Sequence, residues 1–237
     1  KSNWVTCTQG SRFEKDIVTL LDIPKEKLYN LPIGIASIDE ILSRPFITDE
    51  QAKRVWGFEG KYVIVIGYNG SPAHNHIKVI KSLVFMKKQL PTNTILVCPM
   101  TYGGNPVYRK KIKRLLWNSQ FENQILENYL TAEELVCLRK ATDLFIHAQN
   151  TDANSGTIAE YLLCRKKIVN PTWITYPHYE TYGSPFYSFS NFEELPQAIM
   201  KAINDTSNKV SPLLTGNISE SGWSKLACKW VELYKKY

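Results

Sequence analysis

Four short apolar runs, each stopped by a glycine, a proline or a polar turn, constrain this chain more than any other feature. They are Lys61-Tyr-Val-Ile-Val-Ile-Gly67, Thr94-Ile-Leu-Val-Cys98 before Pro99, Asp143-Leu-Phe-Ile-His-Ala148, and Lys167-Ile-Val-Asn170 before Pro171. Successive apolar residues without alternation suit a strand buried on both faces, as in a parallel sheet covered by helices. The stretches between the runs carry helical signals. Residues 76–88 gather Ile77, Ile80, Leu83 and Val84 on one face. Asn105-Pro106 reads as the N-cap and first residue of a basic helix reaching Trp117, and Thr131-Ala-Glu-Glu134 as a capping box for a helix to Ala141. Residues 156–164 form a further helix, and a short strand is expected near 124–127. Tail helices are expected over 192–203 and 222–236. This β-α-β-α rhythm predicts an α/β fold with a doubly wound, mostly parallel sheet. Residues 1–60 are less regular. A strand over 4–8, a helix over 13–21, an extended piece over 28–32 and a helix over 48–56 capped by Thr48 and Gln51 are expected there.

Composition narrows the class. With 237 residues, 43% apolar and 22% charged, the chain is long enough to bury its own core and too apolar for a disordered one. No apolar run approaches the ~18–20 residues of a membrane span. The net charge of +7 is compatible with nucleic acid, anionic lipid or a phosphorylated ligand. The one dense basic run is Arg109-Lys110-Lys111 with Lys113 and Arg114. Cysteines at 7, 98, 137, 164 and 228 show no CxxC spacing, which suits a reducing compartment. The chain begins at Lys1 rather than Met, so a fragment of a longer protein is expected.

In an open α/β sheet, ligands bind beyond the carboxyl ends of the strands. Two loops at that edge carry candidate chemistry. Gly67-Tyr-Asn-Gly-Ser-Pro-Ala-His-Asn-His76 feeds a helix whose N-terminal amides favour an anion. Gln149-Asn-Thr-Asp-Ala-Asn-Ser-Gly-Thr-Ile-Ala-Glu160 enters the next helix with Ser155, Gly156 and Thr157 at its start and Glu160 one turn inside. His74, His76 and His147 are the histidines nearest this edge, and one of them can orient phosphate or act as a base.

The segment from Leu130 to His147, the loop Thr151–Glu160 and Lys167-Ile-Val together resemble the nucleotide-sugar-binding half of GT-B glycosyltransferases. The pattern is a capped helix, a strand after Asp143, a loop with an acid and a glycine, a helix bearing a glutamate, and a short apolar strand. Residues 21–34 resemble the segment entering that half, and Ser221-Gly-Trp-Ser224 resembles the start of the closing helix. Gly67-x-Asn-Gly-Ser with Asn75-His76, Pro99-Met-Thr-Tyr-Gly-Gly104 and Tyr108 are similar to bacterial TDP-fucosamine transferases of enterobacterial common antigen synthesis.

The resemblance implies a single Rossmann-like donor domain over 1–237, with 1–45 as the interdomain entrance and 221–237 as the closing helix. The N-terminal acceptor domain is expected to be absent. It implies that Glu160 holds the donor ribose and that the turn of Ser155, Gly156 and Thr157 holds the diphosphate. Asn69 and Gly70 lie under the phosphates, Tyr129 and Leu130 fall where the backbone meets the base, and Ser71 and Tyr102 are further candidates for binding the donor. Asp152 and His76 are the catalytic candidates. The chain departs from many retaining members, with Tyr68 where arginine follows the glycine, no lysine a few residues on, and Asp152 where glutamate is usual. Diphosphate charge is then met by amides, by His74 or His76, or by Arg109.

The expected function is binding of a nucleotide-diphosphate sugar of UDP or TDP type, for transfer to a glycan or lipid-linked acceptor in envelope glycan synthesis. The fragment alone is expected to be inactive. No cofactor, no metal and no nucleic acid are expected, and the location expected is cytoplasmic with peripheral contact at the inner face of the membrane. Two alternatives stand beside this: a nucleotide-sugar 2-epimerase-like enzyme, and a non-catalytic nucleotide- or RNA-binding module that uses Tyr102, Tyr108 and Trp117 near the basic run.

Overall fold

The computed structural model describes residues 5–7 and 14–236. In chain order the elements are β1 (Val5–Cys7), α1 (Glu14–Leu21), β2 (Leu28–Asn30), α2 (Ala36–Leu42), α3 (Asp49–Trp56), β3 (Tyr62–Ile66), α4 (His76–Phe85), β4 (Thr94–Pro99), α5 (Pro106–Asn118), β5 (Glu122–Leu126) and α6 (Ala132–Ala141). There follow β6 (Leu144–Ile146), α7 (Gly156–Leu163), β7 (Lys167–Pro171), α8 (Pro177–Glu180), β8 (Phe186–Phe189), α9 (Leu195–Asn204), α10 (Pro212–Ser219) and α11 (Trp223–Lys236). Six strands form one sheet in the order β5-β4-β3-β6-β7-β8, with every neighbouring pair parallel. β1 and β2 pair separately, also in parallel.

The apolar runs explain this sheet. Along β3, Val63 and Val65 enter one core while Ile64 and Ile66 enter the other, all fully buried. The chain leaves β3 through α4, β4, α5 and β5, then returns to set β6 on the other side of β3. Right-handed crossovers therefore put α4 and α5 on one face and α6 and α7 on the other. Val79 of α4, Ile112 of α5 and Ile199 of α9 fill the first core. Leu138 of α6, Tyr161 of α7, Ala52 of α3 and Leu214 of α10 fill the second. Both expected capping boxes form, at Thr48 with Gln51 and at Thr131 with Glu134. Asn105 caps α5 through the Tyr108 amide at 2.8 Å. Asp143 accepts from the Val63 amide and from Lys53 Nζ, both at 2.7 Å, and so clamps α3 to the start of β3.

Four elements lie outside the sequence reading: α2, α8, β8 and α10. β8 is an aromatic strand whose pairing with β7 is purely tertiary. α10 carries a legible start, with Ser211 capping and Pro212 at the first position. The strand expected near 124–127 begins two residues earlier and ends one residue earlier, as β5, and the helix expected to reach 88 stops at Phe85 and is followed by a 3-10 turn at Lys87–Gln89. Of the amino-terminal expectations, residues 4, 8 and 13 lie outside the described residues. Among the described residues no helix is long and apolar enough to cross a membrane.

Ile64 pairs with Leu96 on one side and Leu144 on the other, with its side chain fully buried. Ile64→Ala is expected to cost about 2–5 kcal/mol. Urea unfolding should show a lower midpoint with an unchanged slope.

Candidate functional site

β3 and β6 are neighbours whose chain connections run in opposite directions across the sheet. Such a switch point opens a crevice at the carboxyl ends of the two strands. The loops after β3 and β6 leave from this same rim, and their side chains knit them together. Asn75 Nδ2 donates to the Ala148 carbonyl at 2.8 Å and to Asn150 Oδ1 at 2.7 Å. The Asn150 amide donates back to the Ala73 carbonyl at 3.0 Å. The Tyr68 hydroxyl donates to Gln149 Oε1 at 2.9 Å.

The first loop is locked against the turn after β4. The Gly70 amide donates to the Tyr102 carbonyl at 2.7 Å, and the Ser71 amide to Asn69 Oδ1 at 2.8 Å. Gly104 has a left-handed backbone (φ +68°), and a Cβ there would run into the Gly70 carbonyl. Only glycine tolerates both conditions. Because the Gly70 and Ser71 amides are already committed, this loop forms a wall. On the same rim the rings of Tyr102 and Tyr129 lie parallel with centroids 6.1 Å apart, both exposed. Leu130 packs against the core beneath. Arg109 Nη2 donates to the Gly103 carbonyl at 2.7 Å, which holds its guanidinium beside the loop.

The second loop offers open donors. Ser155 Oγ accepts from the Ile158 amide at 3.4 Å and caps α7. The amides of Gly156 and Thr157, in the first turn, have no acceptor within the helix. Glu160 follows one turn later, and it is not an open carboxylate: its residue is 6% exposed. One oxygen accepts from Arg139 Nε at 2.7 Å and the other from the Ser37 hydroxyl. Each oxygen keeps a second lone pair. The segment holding Ser37 lies over the start of α7, where the Ile35 Cγ2 methyl stands 3.5 Å from the position a Cβ on Gly156 would take.

Beneath the rim is a buried polar cluster. His147, fully buried at the end of β6, lies with Nδ1 2.9 Å from Asn170 Oδ1 and Nε2 3.3 Å from Asp152 Oδ2. Burial opposes ionisation of Asp152, and His147, Tyr176 and the Ala153 amide outweigh it, so its carboxyl sits below the ordinary value. The Asp152 carboxylate, at the position that the resemblance matched to an acid facing the donor sugar, is mostly buried and turned toward His147. His76 is also inside the wall, with Nδ1 3.2 Å from the Tyr108 hydroxyl and Nε2 against Gly67. Burial, then the neighbouring His76 and His147, pull His74 down to about 3, and burial pulls His76 down to about 4. Both are neutral near pH 7 and bring no charge to a diphosphate. Ser37, Arg139, Asn170 and Tyr176 escaped the sequence reading. Arg139 and Asn170 carried one signal, a polar residue inside an otherwise buried element. Among the described residues no group of three or more His, Cys, Asp or Glu side chains is arranged to hold a metal ion.

No protein-family model matches the chain, and no curated protein aligns with it significantly. Solved structures do resemble its fold. A glycosyltransferase from Rickettsia africae superimposes with a TM-score of 0.75 at 17% identity, covering 99% of this chain and 63% of that one. Anabaena Alr3699/HepE in complex with UDP-glucose gives a TM-score of 0.73 at 15% identity, covering 100% and 64%. The C-terminal domain of a group 1 glycosyltransferase family protein, LpcC from Francisella tularensis, gives 0.56 at 12% identity, covering 77% and 93%. The chain thus spans somewhat over three fifths of the first two structures.

Two measurements follow from the rim. Gly104→Ala is expected to lower stability by about 1–3 kcal/mol or more through backbone strain and the clash with Gly70, read by thermal unfolding. The unfolded chain takes up protons on His74 and His76 near pH ~6.5, and the folded chain refuses them until about 3 and about 4. Stability is therefore full above pH ~6.5 and falls as the pH drops toward 4, by up to about 1.4 kcal/mol per pH unit for each histidine. His74→Gln should flatten the decline between pH ~6.5 and ~5 in urea titrations, a window above the range in which Asp152 titrates.

Proposed function

We propose that this chain is the donor-binding half of a GT-B glycosyltransferase. It takes a nucleoside-diphosphate sugar of UDP or TDP type, for transfer to a glycan or lipid-linked acceptor in envelope polysaccharide synthesis. The observation that carries this reading is the topological switch point between β3 and β6, with the Gly156 and Thr157 amides, which have no acceptor within the helix, at the start of α7 on the same rim. The fold it shares with a structure holding UDP-glucose and with the C-terminal domain of a glycosyltransferase supports it.

Transfer breaks the bond between sugar and diphosphate, so negative charge grows on the departing phosphate. Preorganised amides and a helix N-terminus lower the energy of that charge without a cation. Ser155, Gly156 and Thr157 are assigned this role. With His74 and His76 neutral, Arg109 of α5, held beside the first loop by the Gly103 carbonyl, is assigned to assist. Glu160 keeps its Arg139 partner and exchanges the Ser37 hydroxyl for a ribose hydroxyl. Tyr102 and Tyr129 flank the base beside Leu130, while Asn69, Gly70 and Ser71 form the opposing wall. Asp152, anchored by His147, and His76, beneath Gly67, act as positioning residues that hold the two loops in register. The acceptor comes from a further domain, so the chain binds donor without transferring sugar.

Thermal unfolding with UDP, TDP, GDP and ADP tests this reading. UDP or TDP at a hundredfold over Kd should stabilise the chain by about 2.7 kcal/mol. Ser37→Ala should tighten binding by removing a competitor for Glu160. Glu160→Gln should weaken it about tenfold, the loss of a charge-assisted hydrogen bond of about 1.5–3 kcal/mol less what the amide retains. The reading fails if no diphosphate shifts the transition, or if the shift is the same in Glu160→Gln.

A further inference from the structure

Charge along this chain is segregated. Between Glu59 and Glu122 stand ten of its 29 Lys and Arg residues and none of its 22 Asp and Glu residues. The remainder holds 19 basic against 22 acidic residues. The fold gathers most of the acid-free segment's cations on one layer, because α4 and α5 pack side by side on the same face of the sheet.

Some of these cations are already engaged. Lys61 pairs with Glu122, Lys113 with Glu127, Lys87 donates to the Ser119 and Gln120 carbonyls, and Lys78 lies over the Phe192 ring. Lys81, Lys88, Lys110, Lys111 and Arg114 are exposed and have no acidic partner among the described residues. Within α5, positions 107, 110, 111, 114 and 117 fall on one outward face, opposite the buried Ile112 and Leu116. A helix of 13 residues spreads that face over about 20 Å, too broad for a point ligand.

Large apolar side chains stand among the charges. Trp117 is 84% exposed in the last turn of α5, and Phe85 is 83% exposed at the end of α4. Both helices run against the strands, so these last turns fall on the same edge of the layer. Val84 is exposed next to Phe85, and Val107 is exposed in the first turn of α5, at the other end of its outward face.

We propose that the outer face of α4 and α5 docks on an anionic phospholipid surface, with Phe85 and Trp117 entering the headgroup boundary. An anionic bilayer is the partner that takes both features. Its surface charge attracts lysine and arginine over a broad face, and its interface accepts aromatic and aliphatic bulk that water does not. Nucleic acid would use the cations and the aromatic planes but leave Val84 and Val107 in water. The contact is separate from the crevice and does not depend on the nucleotide reading.

The test is co-sedimentation of the 237-residue chain with vesicles of phosphatidylcholine alone or with about 30% phosphatidylglycerol, at low and high salt. Binding should require the anionic lipid and fade at high salt. The triple charge reversal Lys110→Glu, Lys111→Glu, Arg114→Glu should weaken it by about a hundredfold or more. Trp117→Ala, whose side chain is exposed and whose circular dichroism should match the parent, should weaken it severalfold. Lys225→Glu with Lys229→Glu on α11 should leave it unchanged. Equal sedimentation with both vesicle types, or an unaltered triple variant of native circular dichroism, overturns the proposal. So does salt-sensitive retention of a single-stranded RNA with no vesicle binding.

Discussion

A parallel partner on each side of β3 is the constraint from which the rest of the molecule follows. Five residues with no polar face cannot sit at an edge, so the chain must return to cover the second side. It does so with β6, and that return reverses the direction of the crossovers. The reversal divides the helices between two faces and sends the connections above β3 and β6 in opposite directions, with their loops tied together at the rim. The crevice is thus a by-product of covering an apolar strand.

The two loops at that rim solve different problems. The first is rigid because its amides and glycines are spent on the neighbouring turn, through Gly70, Ser71 and Gly104. The second keeps its amides free because Ser155 satisfies only one of the orphan donors of α7. Between them sits Tyr68, its ring edge against His74 with centroids 4.2 Å apart and its hydroxyl on Gln149. An aromatic residue and neutral imidazoles fill the space under the rim. Any anion in the crevice is then met chiefly by backbone dipoles, whose strength does not change with pH.

The sheet was legible because burial on two faces leaves a signal in each strand separately. The capped helices were legible because Thr48, Asn105 and Thr131 mark their own starts. β8 and α2 were not, since β8 is identified as a strand only by its partner β7, and α2 has no side-chain cap at Ile35. The same division holds at the candidate site. Sequence spacing puts Ser155, Gly156, Thr157 and Glu160 on one loop-helix junction, and the fold brings Gly70 to the same rim. It could not reveal that Ser37, 123 residues away, rests on Glu160, or that Asp152 turns toward His147. Those contacts depend on how distant elements pack, which local pattern does not encode.

α2 joins two distant parts of the molecule. At its first turn Ser37 holds Glu160, and two residues on in the same turn Asp39 accepts from the Ser224 amide at 3.1 Å and the Ser224 hydroxyl at 2.5 Å, at the head of α11. Just upstream, the Pro32 carbonyl accepts from Trp230 Nε1 at 3.1 Å. A molecule that takes the place of Ser37 therefore loosens one end of a brace whose other end grips the carboxyl-terminal helix. By thermodynamic reciprocity, whatever shifts that helix also alters how readily the carboxylate accepts a guest. On the role proposed for Glu160, the tail of the chain and that carboxylate are in this way two readings of a single equilibrium.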